Sequence, residues 1–434
     1  MLLEAAKEIF RKTLLSIDAG DAVKRAVTVD GQHLAIGTSR FIDPRLYVVS
    51  VGKAAYPMAE AFNEIAGRWI EQGVISGARL GTEVPRFGPP WKTFTGGHPL
   101  PNNDSLAAAN ASIEMLIKAN RPDSVVVFLV SGGGSAMLEL PAGNISLAEL
   151  RSLNQVLVTC GAAISEINAV RRTVSQVKGG GLAAVASKAK QISLIISDTS
   201  PGDVSSVASG LSIPPAGDIP DAYKVIEKYG IASRLPQAVL RAIETSARQR
   251  SSNIEIDSSV HVLLDNEQMT RHAAEIAGRM GFSVEVDRET EDADIDSGCE
   301  RLFSRLAGHR RSVLGGGPVC LISGGEFGCK VRGDGVGGRN SETVLRLALL
   351  AANERSLTKW AFLSAGTDGI DGNSPAAGAA ADETLLGRAV AAGLDAAKYL
   401  EASDSYNFFE RLDSSIMTGP TGTNVRDIRI LMAN

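Results

Sequence analysis

The chain is short of the residues that most often announce chemistry. Its four cysteines, Cys160, Cys299, Cys320 and Cys329, show no Cys-x-x-Cys spacing. That argues against a disulfide framework or a structural zinc site and fits reduced, buried thiols in a cytoplasmic protein. The five histidines, His33, His98, His261, His272 and His309, are scattered, so a histidine metal site is not expected. A net charge of −5 with a pI near 5.7 and no basic stripe excludes a nucleic-acid partner. No cationic cluster is dense enough for a membrane surface, and no apolar run reaches the roughly 18 to 20 residues of a spanning helix. The stretch Met1–Phe10 mixes charges into its apolar pattern, as an amphipathic helix does and a signal peptide does not. Three catalytic signatures are also missing. There is no Gly-x-Ser-x-Gly elbow and no Gly-x-x-x-x-Gly-Lys-Ser/Thr loop, and Gly335–Gly338 lacks the βαβ setting of a dinucleotide fingerprint.

Glycine is plentiful, at 45 residues against 17 prolines and few aromatics, which suits an α/β protein with many tight strand-to-helix loops. At 434 residues two domains are expected. The polar segment near Ser251–Asp257 divides residues 1–250 from 251–434, with residues 1–40 free to pack on the second domain. The chain is organised around Val125–Ser135. Six apolar residues without polar alternation read as a strand buried on both faces of a parallel sheet. Ser131-Gly132-Gly133-Gly134-Ser135 follows at once, where open α/β sheets bind anions. A turn needs only one residue at positive φ, so three glycines in a row point to a ligand.

A strand over Leu46–Val51 leads into Gly52-Lys53 and a helix to about Ile65, which sets a lysine at a helix N-terminus that already favours anions. Gly97–Ser105 is a proline-framed loop before a helix over Ala107–Ala119, with Asp104 or Asn103 as its cap. Ser146 and Glu149 form a capping box for a helix with Leu147, Leu150, Leu153 and Leu157 inward. Arg171, Arg172 and Lys178 surround a glycine run, which reads equally as an anion-facing surface or a helix end. Past the strand Ile192–Ser197, Asp198 is placed to hold Mg²⁺, or to make an Asx-turn.

The second half repeats this grammar. A strand over Val260–Leu264 ends at Asp265-Asn266, and Val319–Ile322 leads into Ser323-Gly-Gly-Glu326. Gly333–Glu342, including Gly337, Gly338 and Arg339, opens a helix over Thr343–Ala352. Trp360–Ser364 precedes Gly366–Gly372 with Asp368 and Asp371, and a Thr418–Asn424 loop containing Thr421 precedes a strand over Arg429–Met432. Glycine loops with hydroxyls, one cation beside each of two loops and strand-end aspartates together suit phosphoryl transfer, where the protein chiefly positions reactants and neutralises charge.

These strings resemble a type II glycerate 2-kinase over residues 4–432, a family with a MOFRL-type C-terminal domain. The motifs that carry the resemblance are Ser-Val-Gly-Lys-Ala (50–54), Gly-His-Pro-Leu-Pro (97–101), Ser-Gly-Gly-Gly-Ser-Ala (131–136), Ile-Asn-Ala-Val-Arg (167–171) and Lys-Gly-Gly (178–180). Later come Ile-Ser-Asp (196–198), Gly-Gly-Arg-Asn (337–340), Gly-Thr-Asp-Gly-Ile-Asp-Gly (366–372) and Thr-Gly-Pro-Thr-Gly-Thr-Asn (418–424). The resemblance implies an α/β fold of two domains, a Rossmann-like parallel-sheet N-terminal domain and a smaller α/β C-terminal one, with the active site in the cleft between them. It implies ATP-dependent phosphorylation of D-glycerate at the 2-hydroxyl, with Lys53 and Arg339 catalytic. Cofactor contacts are then expected from Ser131, Gly132, Gly133, Gly134, Ser135, Lys178, Asn266, Gly337, Gly338 and Thr421, and Mg²⁺ contacts from Asp198, Asp368 and Asp371. The partners are small molecules, with neither nucleic acid nor membrane, and a homodimer is allowed. Thr173, Asn407, Pro375 and Leu211-Ser212 depart from the family pattern, which bears on the acceptor and not on the reaction class. The alternatives are a kinase for a related hydroxy acid and a hydroxypyruvate reductase.

Overall fold

The computed structural model describes residues 1–78, 87–214, 220–248, 256–313, 316–354 and 357–434. These divide into two units, residues 19–263 and residues 1–18 with 264–434. The boundary segment expected at Ser251–Asp257 lies mostly outside the described residues, as does half of the 211–220 connector.

The first unit is built on a six-stranded sheet of β1 (Arg45–Gly52), β2 (Ile70–Gly77), β3 (Trp91–Thr95), β4 (Ser124–Ser131), β5 (Lys190–Ile196) and β6 (Ser258–Leu264). Its order is β3-β2-β1-β4-β5-β6, and the pairs β1–β2, β1–β4, β2–β3 and β4–β5 are parallel. The strand order therefore reverses between β1 and β4, the point where doubly wound sheets bind ligands outside the carboxyl ends of their strands. All eight residues of β4 and seven of the eight in β1 are buried, as is required of strands covered on both faces. Because β6 is the sixth strand of this sheet, the unit continues past residue 250.

Helix Ala55–Ala66 follows β1, and helix Asn103–Ala119 follows β3. The latter is capped one residue earlier than expected. Asn102 accepts the Ser105 amide at 2.9 Å while Ser105 Oγ accepts the Asn102 amide at 3.1 Å, so neither Asn103 nor Asp104 serves. The Ser146–Glu149 capping box is present on helix Leu147–Thr159. That helix packs with Ile164–Thr173, Ala222–Lys228 and Gln237–Arg248 into a separate small core around Leu150, Leu153, Leu157, Val170 and Ile226. A three-stranded antiparallel sheet of Val27–Asp30, His33–Ile36 and Ser39–Ile42 was not expected. Its signal was the Asp30-Gly31 and Ile36-Gly37 steps, where both glycines lie at positive φ.

The second unit holds β7 (Ser283–Asp287), β8 (Val319–Ser323), β9 (Trp360–Gly366), β10 (Gly378–Asp382), β11 (Ser415–Ile416) and β12 (Asp427–Ala433), in the order β7-β8-β12-β9-β10-β11. Only β7–β8 is parallel, and every other neighbouring pair is antiparallel. Helix Leu2–Ser16 belongs to this unit, where Ala6, Ile9 and Phe10 are buried. Helix Arg339–Glu354 lies over β9 and β10, where Ala379 and Ala381 leave room for Val344, Leu347 and Ala348. It begins four residues before the expected Thr343 because Asp371 caps it, accepting the amides of Asn340 and Ser341 at 2.9 and 2.8 Å.

Replacing Asn102 by Ala removes one of two reciprocal bonds at a half-buried helix start. The expected result is a loss of about 1 kcal/mol, read as a lower urea midpoint with an unchanged slope.

Candidate active site

In the first unit the carboxyl ends of β1 and β4 are locked together. Gly52 sits at φ +115°, and a Cβ there would collide with the Ser131 carbonyl and hydroxyl. The amide of Lys53 donates to Gly132 O at 2.9 Å, and the amide of Ala54 donates to Ser131 Oγ at 3.0 Å. Ser131 Oγ in turn reaches Val51 O at 3.3 Å. The strand end, the lysine and the glycine loop thus form one unit. Gly133 lies at φ +81°, and a Cβ there would press at 3.3 Å on the Lys53 stem and at 3.2 Å on the His98 ring. Ser135 pairs with Ser209 Oγ at 2.9 Å. Both loop serines therefore bond inside the fold, while Gly132 and Gly133 bring main chain beside Lys53.

Lys178 is buried, and its ammonium is paired with the equally buried Glu139. Glu139 also accepts Ser175 Oγ at 2.5 Å and the Leu140 amide at 3.0 Å. This pairing accounts fully for the lysine's charge. Arg171 donates to Asn154 Oδ1 at 2.8 Å, and burial lowers the pKa of both Arg171 and Arg172. Asp198 follows β5 and is half-buried.

In the second unit Arg339 opens its helix beside a cavity of about 460 Å³ lined by Phe327, Cys329, Gly338, Glu342 and Asn373 among others. Its Nε and Nη2 grip Asp427 at 2.5 and 3.1 Å, and Nη2 reaches Glu326 at 2.9 Å. Burial alone would lower the guanidinium's pKa, but Asp427, Glu326 and Asp371 outweigh it and raise the pKa instead. Nη1 stands outside these contacts. The glycines before Arg339 serve packing. A Cβ on Gly335 would lie 2.6 Å from Ala402 O, and one on Gly338 would press on Asp371 and Gly372.

Of the other expected ligands, Asn266 is buried and joins the end of β8 to the start of β12. It donates to Val425 O at 2.7 Å and Asp427 O at 3.2 Å, and accepts the Gly325 amide at 3.0 Å. Thr421 donates to Thr367 O at 2.6 Å. Asp371 is buried, accepts Ser341 Oγ at 2.6 Å besides its two amides, and has its pKa raised by desolvation against those bonds. Asp368 is half-buried and accepts the Ile370 amide at 3.1 Å. Among the described residues no three His, Cys, Asp or Glu side chains are grouped to hold a metal ion.

Glu139 pairs with Lys178, Asp427 pairs with Arg339, and Arg429 lies two residues further along β12; none of the three was expected at the site. Asp427 and Arg429 are charges inside an otherwise apolar strand, and that contrast was the available signal. Arg429 is wholly buried with its guanidinium 3.7 Å over the Phe327 ring, and burial lowers its pKa to about 10.

Residues 5–244 match a family described as a domain of unknown function, DUF4147, and residues 319–427 match the MOFRL family. D-glycerate 2-kinase of Thermotoga maritima is 35% identical over 432 residues, which cover 99% of this chain and 98% of that protein. Glycerate 2-kinase of Pyrococcus horikoshii is 33% identical, covering 98% and 96%. A crystal structure of glycerate kinase from Thermotoga maritima superposes with a TM-score of 0.81 at 31% identity, covering 99% of each chain.

Replacing Lys178 by Met alone strands the Glu139 carboxylate and is expected to cost about 3–5 kcal/mol, whereas Lys178→Met with Glu139→Leu should restore most of it. Chemical denaturation of the three variants checks this. Burial pushes the thiols of Cys299, Cys320 and Cys329 up to about 12. Roughly one in 10⁴ is then thiolate at pH 8, so a thiol reagent under native conditions should label none of the three until the protein unfolds.

Proposed function

The chain belongs to the glycerate 2-kinase family, and we propose that it transfers the γ-phosphoryl group of ATP to the 2-hydroxyl of D-glycerate, giving 2-phosphoglycerate. The observation that carries this reading is the lock between β1 and β4. It sets Lys53 beside the Gly132 main chain at the reversal point of a parallel sheet, where such sheets bind anions.

Little covalent chemistry is asked of the protein in such a transfer, since charge spreading over the equatorial oxygens is the main thing to be stabilised. Lys53 supplies an ammonium, and the main chain of Gly132 and Gly133 lets a phosphate or carboxylate approach closely. Arg339 supplies a second, stiffer cation. Its fork is fixed through Nε and Nη2 by Asp427 and Glu326, so a phosphoryl oxygen would meet a cation already held in place. The cavity beside it is within the range of small-molecule sites.

Mg²⁺ would arrive with the nucleotide and neutralise its phosphate oxygens. It keeps several waters and needs only one or two protein carboxylates. Asp198 and Asp368, both half-buried, fit that demand. Asp371 fits it less well, because both of its oxygens already accept hydrogen bonds at the helix start. For a hydroxypyruvate reductase the loop after β1 would need a dinucleotide fingerprint, and Gly52-Lys53-Ala54 does not have one.

ADP release measured with D-glycerate and a panel of small hydroxy acids tests the reading. Turnover should be highest with D-glycerate. Lys53→Ala should lower it by about 10² or more, and Arg339→Ala by roughly 10³–10⁵. Arg339→Lys, which keeps a cation opposite Asp427, guards against simple unfolding and should still lose most activity. Near-native turnover in both alanine variants would remove the two cations from the mechanism.

A further inference from the structure

The reaction proposed above releases a proton from the attacking hydroxyl, and neither Lys53 nor Arg339 is suited to take it while each neutralises phosphate charge. A third side chain stands beside the lysine. The chain leaves β3 through Gly96-Gly97-His98, which brings a histidine to the β1–β4 lock. The His98 ring and the Lys53 stem lie within 3.3 Å of the same point, the place a Cβ on Gly133 would occupy.

This loop is braced along its length. The Gly97 amide donates to Ser105 Oγ at 3.0 Å, and Asn102 Nδ2 donates to Thr95 O at 3.0 Å. Arg151 holds Pro101 O with two bonds of 3.0 and 2.7 Å. Gly96 packs so closely on Met137 that a Cβ would lie 2.6 Å from the Met137 Cα. Yet His98 itself is exposed. A rigid loop that presents an imidazole to solvent beside a lysine and a glycine cradle gives it a function other than core packing.

We propose that His98 is the general base of the transfer. Its neutral imidazole accepts the proton of the acceptor hydroxyl as that oxygen bonds to the γ-phosphorus. The bond from phosphorus to the bridging oxygen breaks, with its electron pair leaving on the nucleoside diphosphate. The imidazolium then returns the proton to solvent. This assignment rests on the kinase reading and places the acceptor hydroxyl over the Lys53–Gly133–His98 corner. General bases of this kind contribute about 10²–10⁴ in rate.

The test compares wild-type protein, His98→Gln and His98→Ala with Mg-ATP and D-glycerate from pH 5.5 to 8.5, with melting temperatures recorded for each. Wild-type kcat should fall on the acid side through the imidazole range, about pH 6–7. His98→Gln should lose about 10² or more in kcat, with little change in KM and without that acid limb. Added imidazole should restore turnover to His98→Ala, which a merely structural role would not allow. The proposal is overturned by a His98→Gln enzyme that keeps both kcat and the acid limb. It is equally overturned by a rise in the glycerate KM at unchanged kcat, which would make the ring a carboxylate ligand. A wild-type protein with no phosphotransferase activity would defeat the kinase reading instead, before any variant is compared.

Discussion

The site depends on the absence of one methyl group. At the end of β1 there is no space between Gly52 and Ser131 for a Cβ, and the backbone there is left-handed. That close approach lets two strand ends exchange hydrogen bonds and brings Lys53 to rest against Gly132. The position follows from the parallel sheet itself: the order β3-β2-β1-β4-β5-β6 opens a crevice between β1 and β4, and the glycines let the chain line it. Sequence, topology and local conformation converge on the same few atoms.

Elsewhere the protein manages charge by pairing it. Lys178 and Glu139 neutralise each other in the core, and Arg339 is clamped by Asp427 and Glu326. Buried pairs of this kind contribute little net stability, but each strongly penalises the loss of one partner. The clamp on Arg339 has a further effect. A guanidinium whose pKa is raised stays charged, and a fork gripped on two nitrogens is already ordered for the phosphate that the proposed function brings to it. Lys53 is the contrasting residue, a compact ammonium on a four-carbon stem held at its main chain by the β1–β4 lock.

Much of this was legible in the chain. The unbroken apolar runs at 125–130 and 319–322 gave buried strands because nothing polar alternates in them, and β4 and β8 are those strands; the strand expected over 46–51 is β1, whose one interior polar residue, Ser50, is buried and donates to Ala55 O at 2.7 Å. Ser146 and Glu149 announced their capping box. What sequence could not carry was pairing at a distance. Lys178 looked like one of several cations beside a glycine run because its partner lies 39 residues away, and Asp427 lies 88 residues from Arg339. Glycines were read as room for a ligand, yet Gly335 and Gly338 make room for the protein's own main chain. Ser131 was expected to face phosphate, and its hydroxyl turns inward to hold the lock. An amphipathic stripe does not say which core it covers, so residues 1–40 were only allowed to pack on the second domain; residues 1–18 group with residues beyond 263, and residues 19–40 with the first unit.

The account stands on phosphoryl transfer to a secondary alcohol. Its most direct measurement is a proton-coupled phosphorus NMR spectrum of wild-type protein incubated with Mg-ATP and D-glycerate. A new phosphomonoester split into a doublet by the single proton on C2 is the result expected here. A triplet from a CH₂ ester, or no new ester at all beside intact ATP, would contradict it.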